Sequence, residues 1–287
     1  MGGVIVGSAS IKGGMLTRAQ LRWNYRAIYP DVYVPRDVEP DLATRARGAW
    51  LWSRRRGIIT GRAAAALHGA RWVDDDAPVE VLWSNNYSPK GVITRRDRIA
   101  PGEITWIKGM PVATPARAAL DLGRYLPHSQ AVAHLDSIGR ATGVASADIL
   151  ELAHRYKGTK GVRRCRRAVD LMDADAQSPQ ETRIRLALIK AGFPRPETQI
   201  PLFDVSDYPF AYLDMGWRDK KIAVEYDGEH HRTDPDQYRW DILRPRRILA
   251  LGWIHIKVIA GDNEFIHHVK QAWLLREREA RAVDRPA

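Results

Sequence analysis

Leu213-Asp214-Met215-Gly216-Trp217-Arg218-Asp219-Lys220-Lys221-Ile222-Ala223-Val224-Glu225-Tyr226-Asp227-Gly228 reads as two short strands joined by a reversal at Asp219-Lys220. Strand side chains alternate between faces, so Ile222, Val224 and Tyr226 share one side while Glu225 and Asp227 share the other, about 6 to 7 Å apart along the strand. With Asp219 and Lys220 at the centre of a tight turn, Arg218 faces Lys221 and Asp214 falls opposite Glu225, where Cβ atoms are about 5 Å apart. The apolar side is expected to pack and the acidic side to stay open. Carboxylates this close repel unless a proton or a cation lies between them. Hard divalent cations take such oxygen ligands, so Asp214, Glu225 and Asp227 are the expected ligands of Mg²⁺ or Mn²⁺. The alternative is a surface hairpin with solvated charges, because Asp-Lys lacks the Asn-Gly or Asp-Gly signature that pins register.

The flanking residues extend the pattern. Gly228-Glu229-His230-His231 leads to Thr233-Asp234-Pro235, where Thr233 or Asp234 can cap a helix whose first turn takes Pro235. That helix sets Asp241 and Arg244 on one face at i, i+3. Pro245 within it removes a backbone hydrogen bond and is expected to kink or split it. Beyond Gly252, Ile254, Ile256 and Val258 alternate with Trp253, His255 and Lys257 as in a strand. Upstream, Ser178-Pro179-Gln180-Glu181 is a capping box, followed by an apolar run to Ala191 and a stop at Gly192. The expected order is helix, strand, strand, helix, strand, helix.

Glu181, Asp214, Glu225-Tyr226-Asp227-Gly228, His231 and the Asp241 and Arg244 pair together resemble the PD-(D/E)XK nuclease superfamily, in its branch related to very-short-patch-repair endonucleases, over about residues 178 to 280. The resemblance implies a restriction-endonuclease-like α/β fold with a mixed central sheet and Mg²⁺-dependent attack of water on a phosphodiester. On that pattern Glu181, Asp214, Glu225, Asp227 and His231 form the catalytic set. Asp214 and Glu225 bind metal, Glu181 supports the site from the leading helix, and His231 acts on the attacking water or the leaving oxygen. Asp227 sits where many members carry lysine and cannot stabilise developing negative charge as a cation does. His230, His231 and Lys257 are the candidates to replace that lysine. The structural alternatives are a Glu181 that only completes the capping box and an Asp241 and Arg244 pair that is only an exposed helix contact.

Composition frames the rest. A length of 287 residues suggests two domains, each large enough to bury a core. Lys plus Arg number 45 against 34 Asp plus Glu, a formal charge of +11 that favours polyanionic partners, nucleic acid first. The single cysteine, Cys165, excludes an intramolecular disulfide and a cysteine-rich zinc site, which fits a reducing cytoplasm. No apolar run approaches the roughly 20 residues of a membrane span, and a soluble cytoplasmic protein with no membrane partner is expected.

Nearer the start, Thr17 can cap a short helix through Gln20 and Leu21, and Tyr29-Pro30-Asp31-Val32-Tyr33-Val34 looks like a small β-wing, a combination compatible with a winged helix-turn-helix. Arg18, Arg22 and Arg26 recur every four residues across it as candidate DNA contacts, with a solvated helix face as the alternative. Ile59-Thr60-Gly61-Arg62-Ala63-Ala64-Ala65-Ala66-Leu67-His68-Gly69 reads as a capped, Ala-rich helix with a Gly stop, in which His68 packs or caps. The Thr17 region, the wing and this helix resemble the antitoxin of abortive-infection type IV toxin-antitoxin systems over roughly residues 10 to 120. That resemblance implies operator binding and autoregulation, with a cognate toxin as partner.

Between the ends, Val79 to Trp83, Val92 to Arg96 and Ile104 to Ile107 are expected strands, while Thr114-Pro115 and Ser146 open helices. The stretch from Arg155 to Arg167 has no acid, and its Arg163, Arg164, Arg166 and Arg167 are candidate DNA-backbone contacts, joined by Arg244. The expected class is α/β, α+β overall: a winged-helix-like region at 1–58, an antitoxin-like α/β region with a basic helix at 59–173, and an endonuclease-like domain at 174–287. The expected function is DNA binding with a Mg²⁺-dependent endonuclease that hydrolyses phosphodiesters. The alternative is a transcriptional repressor or antitoxin with a catalytically inactive nuclease-like domain, and a third reading directs the nuclease at RNA. DNA, a cognate toxin and a second copy of the chain are the expected partners.

Overall fold

The computed structural model describes residues 3–85, 87–204, 207–228 and 235–283, with the backbone alone at 235–242 and 283. The chain is mixed α+β and divides after Ala174 into two compact units.

The first unit opens with β1 (Ile5–Val6), α1 (Gly7–Lys12), α2 (Arg18–Asn24), β2 (Tyr25–Tyr29) and β3 (Val32–Pro35), the strands forming an antiparallel sheet in the order β1-β3-β2. Thr17 caps α2 as the sequence suggests: its Oγ1 accepts the Gln20 N–H at 3.1 Å while Gln20 Oε1 accepts the Thr17 N–H at 2.8 Å. The hairpin β2-β3 reverses at Pro30-Asp31, where Asp31 takes a left-handed φ of 60°. Asp41 then caps α3 (Leu42–Trp52) by accepting the Thr44 N–H at 2.7 Å.

A five-stranded mixed sheet follows, built from β4 (Ile58–Thr60), β5 (Val79–Leu82), β6 (Val92–Arg95), β7 (Ile104–Ile107) and β8 (Met110–Ala113) in the order β6-β5-β4-β8-β7. Between β4 and β5 runs α4 (Gly61–Leu67), whose Ala63, Ala64 and Ala65 are fully buried. Small side chains there let helix and sheet approach closely. Gly61 has a φ of 59°, and a Cβ on it would lie 1.8 Å from Glu80 Oε2, so no other residue fits. Thr60 does not cap α4 with its side chain, as the sequence suggests, because its hydroxyl is drawn to Asp121 Oδ2 at 2.7 Å. His68 is the C-cap, with Nε2 2.8 Å from the Ala113 carbonyl. Four helices complete the unit: α5 (Pro115–Tyr125), α6 (His128–Thr142), α7 (Ser146–Arg155) and α8 (Val162–Asp170). The cap of α7 is Ala145, whose N–H is accepted by Asp148 at 2.9 Å, so Ser146 is its first helical residue instead of its cap.

The second unit is α9 (Pro179–Lys190), β9 (Glu197–Leu202), β10 (Ala211–Trp217), β11 (Ile222–Tyr226), α10 (Pro235–Ala250), β12 (Ile254–Val258) and α11 (Phe265–Val283). Its mixed sheet has the order β12-β11-β10-β9, with β11 and β12 parallel and the remaining pairs antiparallel. Met215, Trp217, Ile222 and Val224 pack with Ile184 and Leu188 of α9 and Phe265 and Val269 of α11, while Ala223 joins Leu213, Ile200, Ile248 and Trp253 in a second cluster.

Two expectations are corrected here. The first strand, β9, is absent from the expected order; Pro201 and the polar Glu197 to Gln199 disguise it, and both suit its place at the sheet edge. Pro245 does not split α10, which is continuous from Pro235 to Ala250. The hairpin register is the expected one, Met215 facing Val224 and Trp217 facing Ile222, and the reversal is centred on Asp219 and Lys220 with a 3.2 Å bond from the Lys221 N–H to the Arg218 carbonyl; what alternation does not foresee is the left-handed φ of 46° at Lys221. Gly216 is required by this pairing, since a Cβ there would lie 2.3 Å from the Ile222 carbonyl oxygen.

Candidate functional site

The β10-β11 pairing ends at Met215 opposite Val224, and just beyond it Asp214 lies close enough to Glu225 for their charges to interact. Asp214 Oδ2 accepts the Tyr226 N–H at 2.9 Å. Parallel pairing of β11 with β12 then places His255 beside Ala223 and Lys257 beside Glu225. From those positions His255 Nε2 hydrogen-bonds to Glu225 Oε2, and Lys257 Nζ donates to Asp227 Oδ2 at 3.1 Å. Arg244 reaches in from α10, with Nη1 2.9 Å from Glu225 Oε2 and Nη2 2.5 Å from Glu225 Oε1, and Nη2 also donates to the Tyr212 carbonyl at 2.8 Å. The acidic side of the hairpin is therefore not open. Glu225 is 6% exposed and is covered by cationic and imidazole groups.

Of the two roles the sequence offers Glu181, the capping one is formed. Its Oε2 accepts the Gln177 N–H at 2.9 Å and its Oε1 accepts the Ser178 hydroxyl at 3.0 Å, closing the start of α9. Its charge also bears on Asp214. Burial, then the charges of Glu181 and Glu225, push the Asp214 carboxyl up to about 7. Burial acts to raise Glu225 as well, yet the hydrogen bonds and charges of His255 and Arg244 prevail and hold it down at about 2. One carboxyl is thus poised to carry a proton at neutral pH, and its neighbour is a fixed anion neutralised by protein groups.

This bears on the expected Mg²⁺ or Mn²⁺. Both Glu225 oxygens are engaged by Arg244 and His255, and Asp227 is paired with Lys257. Among the described residues no group of three or more His, Cys, Asp or Glu is arranged to hold a metal ion. The carboxylates as placed do not fit a divalent cation, since a guanidinium fills the role that a cation would play. His230 and His231 lie outside the described residues, as does the side chain of Asp241.

The expected DNA contacts in the first unit separate into two groups. Arg18 and Arg22 are exposed on α2. Arg26 does not continue their row, because the helix ends at Asn24 and Arg26 lies on β2, bonded to the Val38 carbonyl at 2.8 Å and to Glu39 at 2.7 Å. On α8, Arg163 and Arg167 are exposed, whereas Arg164 donates to the Arg124 carbonyl and Arg166 to the Ala153 carbonyl at 3.4 Å. The helix that looked uniformly basic therefore spends two of its four arginines, Arg164 and Arg166, on its own unit.

A buried ionic network escaped the sequence reading. Arg117 and Asp121, each 1% exposed or less, pair through Nε and Oδ2 at 3.0 Å; Arg117 also donates to Glu103 at 2.7 Å and to the Tyr156 hydroxyl at 2.8 Å, and Arg124 joins Asp121 at 3.1 Å to Asp97 at 2.8 Å. Together with the Thr60 bond, it ties β4 to α5 and to Tyr156, the residue that caps the end of α7. The signal was present in the spacing: Arg117, Asp121 and Arg124 fall at i, i+4 and i+7, one face of an otherwise apolar helix.

Residues 57–174 match the family model described as the AbiEi antitoxin C-terminal domain. The span runs from the residue before β4 to the end of the first unit and takes in the network around Asp121. Two uncharacterized proteins, from two strains of Mycobacterium tuberculosis, are each 27% identical over 248 residues, covering 86% of this chain and 89% of the relative. No solved structure matches the chain. No helix among the described residues is long and apolar enough to cross a membrane.

Proposed function

We propose that the protein is a DNA-binding antitoxin-type repressor of a type IV toxin-antitoxin system, and that its second unit is a nuclease-like scaffold without hydrolytic activity. The observation that carries this reading is the antitoxin-domain match at 57–174, which lies in one compact unit with the Thr17-capped helix and the β2-β3 hairpin. A helix with exposed Arg18 and Arg22 followed directly by a two-stranded wing suits insertion into a DNA groove with phosphate contacts beside it. The scaffold reading of the second unit is supported by the bidentate hold of Arg244 on Glu225. A cognate toxin is the expected protein partner.

Fluorescence anisotropy with a labelled duplex from the protein's own promoter tests the reading. Tight binding that weakens steeply with salt, about 0.9 in logarithmic slope per phosphate contact, is the expected result; affinity no greater than for a scrambled duplex rejects it. Phosphodiester hydrolysis is a second reading, favoured by the αβββαβ order around Asp214 and Glu225. It predicts nicking of a supercoiled plasmid with Mg²⁺ by the wild-type protein and none by Glu225→Ala.

A further inference from the structure

In the first unit a groove of about 510 Å³ lies between the wing turn (Pro30, Asp31, Val32), the C-terminal end of α3 and the segment after β5. Three aromatic rings cluster there. Trp52 and Trp83 meet edge to face with centroids 5.0 Å apart, and Tyr87 lies 6.4 Å from Trp52, tilted at 60°. Tyr87 is 60% exposed, so a ring stands at the mouth with a face available. Arg54 and Arg56 also line the groove and are exposed.

The backbone that delivers Arg54 is strained. Arg54 and Arg55 are consecutive left-handed residues, with φ of 56° and 62°, where a side chain is disfavoured and glycine is the ordinary choice. Two arginines in such positions point to a requirement for charge at this reversal that outweighs local comfort. Arg55 turns aside to stack on Trp50, its guanidinium carbon 5.6 Å from the ring centroid. The acid lining the groove, Asp31, is engaged by the backbone N–H of Ser8 at 2.8 Å and by the Ser8 hydroxyl. Guanidinium groups beside aromatic rings match a planar base carrying a phosphate: the rings stack the base and the arginines hold the anion. Paired bases in a duplex have their faces covered by neighbours, so the groove requires an unpaired base.

From this geometry we infer that the groove of Trp52, Trp83, Tyr87, Arg54 and Arg56 binds single-stranded nucleic acid by stacking an unpaired base. The groove takes in the wing turn but neither Arg18 nor Arg22 lines it. A fluorescein-labelled oligothymidylate of about ten nucleotides, titrated against the full-length protein, should raise anisotropy and quench tryptophan fluorescence; an oligouridylate of equal length shows whether DNA or RNA is preferred. Tyr87→Ala, at an exposed position, should weaken binding about tenfold. Arg54→Gly should weaken it severalfold while raising the thermal midpoint, because it removes the charge and relieves the backbone together, an outcome that misfolding cannot mimic. Neither variant should alter affinity for promoter duplex. Wild-type protein that binds neither oligonucleotide, or variants that bind them as wild type does, would overturn the proposal; loss of promoter binding alone would instead count against the repressor reading.

Discussion

Arg244 on α10 holds Glu225 on β11 through both carboxylate oxygens, at 2.9 Å and 2.5 Å, across 19 residues of sequence. Both side chains are largely covered, at 22% and 7% exposure. Arg244→Ala therefore leaves a buried anion still hydrogen-bonded to His255 but without its guanidinium, and breaking a buried pair in this way costs about 3 to 5 kcal/mol. Urea unfolding followed through the tryptophans of the second unit should show its midpoint fall accordingly; a change under about 0.5 kcal/mol would mark the pair as a surface contact.

The two neighbouring carboxyls predict opposite pH effects. Asp214, raised from 3.8 to about 7, holds a proton in the folded protein that the unfolded chain has lost. Its contribution is full below about pH 4 and falls away as pH rises through about 7. Glu225, lowered from 4.5 to about 2, contributes above about pH 4.5 and loses that contribution as pH falls through about 2. Asp214→Asn keeps an acceptor for the Tyr226 N–H and removes the titration, so its thermal midpoint should exceed that of the wild type at pH 8 and match it at pH 4. Parallel pH profiles for the two proteins would contradict the assignment.

Arginines within one basic stretch should divide by function. Arg163→Ala and Arg167→Ala remove exposed charges and should leave stability unchanged. Arg164→Ala and Arg166→Ala remove donors to the Arg124 and Ala153 carbonyls and should lower the melting temperature of the first unit. Differential scanning calorimetry of the four variants separates the pairs, and a uniform result would show that the internal bonds carry no stability.

Lys221→Gly tests the hairpin. A left-handed φ of 46° disfavours a residue with a Cβ by about 1 to 2 kcal/mol, against which stands the bond from Lys221 Nζ to the Leu251 carbonyl at 2.9 Å. A net gain in stability is expected, measured as a rise in denaturant midpoint; a loss would make the lysine bond the stronger term.

Where the physics is local, the sequence was readable. The hairpin register followed from strand alternation, the Thr17 cap from its Gln20 partner, and the helix stop from a glycine at 192, which takes the left-handed φ of 94° that such a stop uses. Contacts distant in sequence were not. Alternation sorted Glu225 from Val224 but could not show that Arg244 and His255 would close over the acid, because that depends on where α10 and β12 pack. The same gap explains Thr60, whose hydroxyl serves Asp121 61 residues away instead of its own helix. Arg26 shows the converse error, an every-fourth pattern carried past the end of a helix into a strand.

The central claim is that the protein grips its promoter and does not cut it. The most direct measurement incubates the full-length protein with end-labelled promoter duplex and Mg²⁺, then runs the same sample on native and denaturing gels. The account predicts a retarded band on the first and intact strands on the second. Shortened strands that disappear with Glu225→Ala would contradict it.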